Sequence, residues 1–138
     1  KNQKWKWTDE CERSFENLRQ AIAECVMLSH PKLEETFYLE TDANMVAVAA
    51  VLYQMDREHK KVIEYTSRRL LEYEKHYTVT EVELLSVVHA VRKWSHYLLG
   101  KEFIVRTDHK SLLYLDKIKG WNSRLLRWAL ELNNYALS

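Results

Sequence analysis

A chain of 138 residues with 46% hydrophobic content is long enough for one domain with a buried core, and its two glycines and one proline exclude a linker, a disordered segment or a turn-rich β-sandwich. A formal net charge of +1 supplies no global field for nucleic acid or membrane, so any anion has to be met by a local patch. No segment is long and apolar enough to span a membrane, no signal peptide is recognisable, and the first residue is Lys1 rather than Met, which points to a piece of a longer protein.

The stretch "WTDECERSFENLRQAIAEC" predicts a helix, with Thr8 as N-cap, Asp9 and Glu10 at the positive end of the helix dipole, and Phe15, Leu18 and Ile22 at helical spacing. Cys11 and Cys25 fall in it. Fourteen residues along one helix separate them by about 21 Å, too far for a disulfide, so reduced, buried thiols in an intracellular protein are expected. Pro31 closes this section. "TFYLETD" alternates as a strand, with Phe37 and Leu39 on one side and Tyr38 and Glu40 on the other. "VAVAAVLYQ" is apolar almost throughout and predicts a strand buried on both faces. The polar "MDREHK" makes a turn into a third strand, "KVIEYTS". Strands this close together form an antiparallel meander, because parallel neighbours need a long crossover.

"TVTEVELLSVVHAVRKWSHYLLG" carries the strongest helical period, with Leu84, Val87, Val88, Val91, Trp94 and Leu98 in one stripe and Gly100 as the stop. "EFIVRTD" predicts a fourth strand, "KSLLYL" a short helix, and "NSRLLRWALELNNY" a last helix capped by Asn122 or Ser123. The order helix, three strands, helix, strand, two helices predicts an α+β or mixed α/β fold. The fourth strand can pair parallel to the first, with the long helix inside the crossover. The many tryptophans and tyrosines are accounted for first by core packing.

Both the first and the fourth strand end on Thr-Asp. If they lie side by side and parallel, Asp42 and Asp108 meet at one end of the sheet, where open α/β sheets place their ligands. Two carboxylates so placed repel unless a cation lies between them, and hard oxygen ligands suit Mg²⁺ or Mn²⁺. The start of the long helix offers a third acid, Glu81 or Glu83. Glu83 immediately precedes the apolar stripe and so can face the sheet near its edge. Each acid also has an ordinary role. An Asp at a strand end often caps the next turn, and Thr78–Glu81 and Thr80–Glu83 both fit a capping box. The combination is more specific than its parts, because the acids fall at mutually compatible ends of their elements.

These stretches resemble the ribonuclease H domain of Ty3/gypsy-type LTR-retrotransposon reverse transcriptases, preceded by the tail of the connection region. "WKWTDECERSFENLRQAI", "FYLETDAN", "AVLYQ", "IEYTSRRL", "HYTVTEVELLSVVHAVRKWSHYLLG", "FIVRTDHKSLLYL" and "RLLRWALELNNY" occur in the family's order and cover nearly the whole chain. The resemblance implies an α/β ribonuclease H-like fold: a mixed five-stranded sheet, antiparallel over its first three strands, with flanking helices. It implies a connection-derived helical segment over residues 1–34. The ribonuclease H-like domain would occupy 35–138 and end before or within its last strand. It implies that Asp42, Glu83 and Asp108 are catalytic and metal-binding, and that two Mg²⁺ (or Mn²⁺) ions about 4 Å apart cleave the RNA strand of an RNA/DNA hybrid. The RNA strand would be recognised by its 2′-hydroxyls in a wide minor groove. The implied partners are the hybrid and the polymerase and connection domains of the same polyprotein, with no membrane. The implied location is intracellular, in a cytoplasmic virus-like particle or the nucleus. Two departures stand out. Ala49 and Asn44 replace the family's usual Gly and Ser. The family's fourth acid lies downstream of Ser138, so weak binding of the second ion is expected.

Between Lys117 and Leu130, Lys117, Lys119, Arg124 and Arg127 interleave with Trp121 and Trp128 and contain no acid among them, a pattern suited to tracking phosphates. A solvated helix face with Trp128 in the core accounts for it equally well. Arg68, Arg69 and His109 are weaker candidates. A catalytically weak or domesticated domain acting as a structural or nucleic-acid-binding module is the alternative function. An integrase or transposase would order its acids Asp, Asp, Glu, whereas this chain has Asp, Glu, Asp.

Overall fold

A computed structural model describes residues 8–25, 28–109 and 122–137. Helix α1 (Asp9–Cys25) precedes the meander β1 (Phe37–Ala43), β2 (Ala47–Asp56) and β3 (His59–Arg69). A 3-10 turn (Glu74–His76) leads into α2 (Val79–Lys93) and a short α3 (Ser95–Leu98). Strand β4 (Glu102–Arg106), helix α4 (Ser123–Leu132) and strand β5 (Ala136–Leu137) follow. The sheet order is β3-β2-β1-β4-β5. β1, β2 and β3 are antiparallel, while β4 runs parallel to β1 and to β5. This is the mixed sheet the sequence predicts, and it is the ribonuclease H-like fold.

Alternation in β1 works as expected. Phe37, Leu39 and Thr41 point into the core, and Glu40 and Asp42 are exposed. Helix α2 packs across β1 and β2, and α4 packs on α2. The predicted stripe of Leu84, Val87, Val88, Val91, Trp94 and Leu98 is fully buried. Val82, Leu85 and Ser86 are buried as well, because α4 covers a second side of the helix. Thr8 caps α1 as predicted, its hydroxyl accepting from the Cys11 N–H. Gly100 adopts φ +76, the left-handed conformation that suits a helix stop.

Several expectations are corrected. Strand β2 is not buried on both faces. Val48, Ala50 and Leu52 face the core, whereas Ala47, Ala49 and Val51 are only half-buried on an open side. An unbroken Ala/Val run cannot distinguish these two cases by periodicity. An irregularity at Leu52/Tyr53 then puts Leu52, Tyr53 and Gln54 inside consecutively. The long helix is interrupted at Trp94 (φ −107, ψ 22), whose indole N–H donates to Glu64 Oε2 at 2.9 Å. Strand β5 has only two residues and carries no pattern of its own; it is recruited by pairing with Glu102 and Phe103. Cys11 is half-buried rather than buried, and α1 holds both cysteines, as the no-disulfide argument assumed. The predicted helix "KSLLYL" lies outside the described residues.

Glu74, in the unpredicted 3-10 turn, is 3% exposed. It accepts two hydrogen bonds from Arg68, at 2.7 and 2.8 Å, and one from the Leu71 N–H. Arg68 is therefore bound to the fold. Its hydrogen bonds hold the Glu74 carboxyl below the ordinary glutamate range, against the opposing effect of burial. A carboxyl depressed on folding adds stability above the ordinary glutamate pKa and loses it as pH falls through the folded value. Glu74→Gln is therefore expected to destabilise the chain by about 2 kcal/mol at neutral pH. It should also flatten the acid limb of stability against pH, measured by urea unfolding from neutral to acid pH.

Candidate metal centre

The register of the parallel pair builds the site. Glu40 lies opposite Arg106, so each strand delivers an aspartate two residues further on, Asp42 and Asp108, at the same end of the sheet. Glu83 comes from the second turn of α2, which crosses that end. One carboxylate oxygen from each of Asp42, Glu83 and Asp108 lies within 4.8 Å of the others. The two aspartates are exposed and Glu83 is buried, 7% exposed.

The buried member is the informative one. Among the described residues Glu83 Oε2 has no hydrogen-bond partner, and it has almost no contact with solvent. A buried carboxylate oxygen left unpaired is costly. Burial pushes the Glu83 carboxyl above its ordinary range. Asp108 and Asp42 push it the same way by repulsion, and only His109 opposes them. A divalent cation among the three acids would satisfy the orphaned oxygen and remove the repulsion together. All-oxygen, anionic donors suit Mg²⁺ or Mn²⁺. The residues present therefore fit a metal ion.

The structure also separates the two candidate glutamates. Glu81 forms the capping box of α2 with Thr78, accepting from the Thr78 N–H at 2.7 Å. It accepts further hydrogen bonds from Asn122 Nδ2 and, at 2.9 Å, from Arg124 Nη1. Burial alone would raise its carboxyl, but these donors outweigh it and hold the group below the usual range. Glu81 is satisfied within the fold and Glu83 is not.

A groove of about 540 Å³ opens beside the acids on the half-buried side of β2, lined by Asp42, Ala49, Val51, Lys60, Arg106 and Asp108 among others. Ala49 is the direct partner of Asp42 across the β1–β2 ladder, so its methyl stands in the groove wall as well as in the strand packing. Lys60 pairs with Glu40 and lies over the Tyr53 ring, and the Arg106 guanidinium lies over Tyr38. Sequence reasoning missed both cations. The available signal was the position of Arg106, two residues before Asp108 in "FIVRTD".

The predicted phosphate-tracking residues are distributed differently. Lys117, Lys119 and Trp121 lie outside the described residues. Arg124 is engaged with Glu81 and lies over the Tyr77 ring, 3.9 Å from its centroid. Arg127 is exposed on α4, and Trp128 is in the core, edge-on to Tyr77. The His109 N–H donates to Thr107 Oγ1 at 3.2 Å, beside the acids.

Comparison with known proteins agrees with this architecture. The family described as "RNase H-like domain found in reverse transcriptase" matches residues 32–135. The chain is 36% identical over 135 residues to the retrovirus-related Pol polyprotein from transposon 412 of Drosophila melanogaster, covering 98% of this chain and 11% of that one. It is 32% identical over 140 residues to the Tf2-3 transposon polyprotein of Schizosaccharomyces pombe, covering 98% and 10%. It thus spans about a tenth of the length of these relatives. Among solved structures, the prototype foamy virus protease-reverse transcriptase superposes with a TM-score of 0.72 at 17% identity, over 96% of this chain and 18% of that one. A foamy viral protease-reverse transcriptase in complex with an RNA/DNA hybrid gives 0.64 at 22% identity, over 96% and 19%. At these identities the structural likeness speaks for the fold.

The orphaned carboxylate generates a test. In EDTA at neutral pH, Glu83→Gln is expected to stabilise the chain by roughly 1 kcal/mol, because it removes a buried charge facing two others. Mn²⁺ should raise the melting temperature of the wild type and leave that of Glu83→Gln nearly unchanged. Thermal melts with and without Mn²⁺ check both points.

Proposed function

Because the chain belongs to the RNase H-like domain family of reverse transcriptases, and is the RNase H-like domain of a retrotransposon polyprotein of the Ty3/gypsy type, we propose that it is a divalent-metal-dependent endonuclease acting on the RNA strand of RNA/DNA hybrids. The observation that carries this reading is the convergence of carboxylate oxygens of Asp42, Glu83 and Asp108, with Glu83 buried and its Oε2 unpartnered among the described residues. The proposed partners are the hybrid and the polymerase and connection domains of the same polyprotein. A foamy viral enzyme of the same fold has been solved with such a hybrid, which supports the choice of substrate.

Asp42, Glu83 and Asp108 would hold the metal, which when bound supplies a water activated for attack and charge neutralisation at the leaving oxygen. The chain's own residues do the rest. Glu83 closes the site from the protein side, since its carboxylate is buried. Asp42 and Asp108 form the solvent-facing rim and leave the approach open to a phosphodiester. Arg106 places positive charge in the adjoining groove, a contact point for a nucleic-acid backbone beside the acids, while Lys60 in the same groove is paired with Glu40. Arg127, exposed on α4, is available to a phosphate further along.

The alternative, a structural or nucleic-acid-binding module without catalysis, leaves Glu83 Oε2 without a purpose. Among the described residues nothing pairs with that carboxylate oxygen. Asp42→Asn is expected to reduce cleavage of a labelled RNA/DNA hybrid in Mg²⁺ or Mn²⁺ by at least about 100-fold, with the fold intact. Gel analysis of the products, with circular dichroism of both proteins, provides the measurement. Cleavage that survives the substitution would sink the reading.

A further inference from the structure

We infer that Arg124 and Asn122, at the start of α4, are positioning residues for Glu83, holding the first turns of α2 in the register that presents Glu83 to Asp42 and Asp108. The inference rests on the functional reading above in one respect: it takes Glu83 to be a metal ligand.

Asn122 caps α4 and braces the capping box of α2. Its Oδ1 accepts from the Leu125 N–H at 2.9 Å, starting α4, and its Nδ2 donates to Glu81 Oε1, in the first turn of α2. Arg124 adds a second donor to the same oxygen at 2.9 Å. The other Glu81 oxygen takes the Thr78 N–H, while Thr78 Oγ1 accepts from the Glu81 N–H, completing the capping box. The Arg124 guanidinium also lies over Tyr77, the residue before that cap, and Tyr77 packs edge-on against Trp128 of α4. Side chains from one end of α4 thus grip the residue before the cap and the third residue of α2.

Glu83 follows Glu81 by two residues, about 3 Å along the helix axis. Helix ends fray most readily, and the intrahelical bonds next to Glu83 are among the first in α2, such as Val82 N–H to Thr78 O at 2.9 Å. Without the α4 donors, Glu81 would be a buried carboxylate satisfied on one side only. It would then gain by swinging into water and drawing the first turn with it. Glu83 would lose the fixed, buried position from which it meets the aspartates. Arg124 has the opposite-charge partner and the aromatic face that a phosphate contact would have to displace, so it acts through Glu81 and not on the nucleic acid.

The test compares the wild-type chain with Arg124→Ala, Arg124→Lys and Asn122→Asp. Asn122→Asp keeps a competent cap for α4 while replacing the donor to Glu81 by an acceptor, so it reports even if Arg124→Ala fails to fold. Mn²⁺ affinity by calorimetry, amide exchange along α2, and hybrid cleavage at several salt concentrations are measured. Arg124→Ala and Asn122→Asp are expected to weaken Mn²⁺ binding roughly tenfold. They should speed exchange at Val82 and Glu83 while leaving Val88 and Val91 protected. They should also lower kcat with KM and its salt dependence unchanged, and Arg124→Lys should restore most of the loss. Wild-type Mn²⁺ affinity in Arg124→Ala and Asn122→Asp overturns the inference. If KM then rises with a shallower salt slope, Arg124 is a phosphate contact; if only the melting temperature falls, the clamp is a structural tie. A wild type that binds no Mn²⁺ overturns the functional reading instead, and this inference with it.

Discussion

Parallel pairing of β1 with β4 requires a crossover of about a dozen residues or more, because no hairpin can join parallel neighbours. Here the crossover runs through β2, β3, α2 and α3, and that path is what brings the site together. The parallel register sets Asp42 and Asp108 at one end of adjacent strands. The same crossover lays α2 over β1 and β2, so that its first turns arrive at that end carrying Glu83. An antiparallel β4 would have put Asp108 at the opposite end of the sheet from Asp42.

Charge is distributed around this arrangement with consistent logic. The acids of α2 lie near its N-terminus, where the helix dipole favours negative charge. One of them, Glu81, is fully satisfied by neighbours and holds elements together. The other, Glu83, has an oxygen that no group among the described residues serves. Away from the site, the buried Glu74 and the half-buried Glu131 are each paired with an arginine. Arg68 meets Glu74, and Arg92 meets Glu131 on α4 through two hydrogen bonds. A chain that pairs these charges yet sets Glu83 facing two more carboxylates concentrates negative charge at one end of the sheet.

Much of the fold was legible in the sequence because it rests on short-range patterns. The alternation of "TFYLETD", the helical stripe from Leu84 to Leu98 and the stop at Gly100 each depend on neighbours a few residues apart. The features that were not legible depend on what packs against them. The break at Trp94 accompanies an indole hydrogen bond to Glu64, thirty residues away. The half-open face of β2 depends on what covers it. The two residues of β5 become a strand only because β4 presents an edge. The basic-aromatic run from Lys117 to Leu130 suited either a phosphate track or a solvated helix face with Trp128 in the core; Arg124 faces Glu81 and Trp128 is buried, partners that spacing alone cannot name.

The sequence by itself determined which residues are candidates: two Thr-Asp strand ends, acids at the head of one helix, and a parallel pairing as the simplest way to bring them together. Family resemblance then selected Asp42, Glu83 and Asp108. Only the tertiary structure showed the physical difference between Glu81 and Glu83, because hydrogen-bond partners are not contained in their identity or spacing. Both start the same helix and both are buried. One meets Thr78, Asn122 and Arg124, and the other meets two aspartates. Hydrogen-bond satisfaction belongs to the surroundings of a group, and those surroundings come from residues up to 43 positions away along the chain.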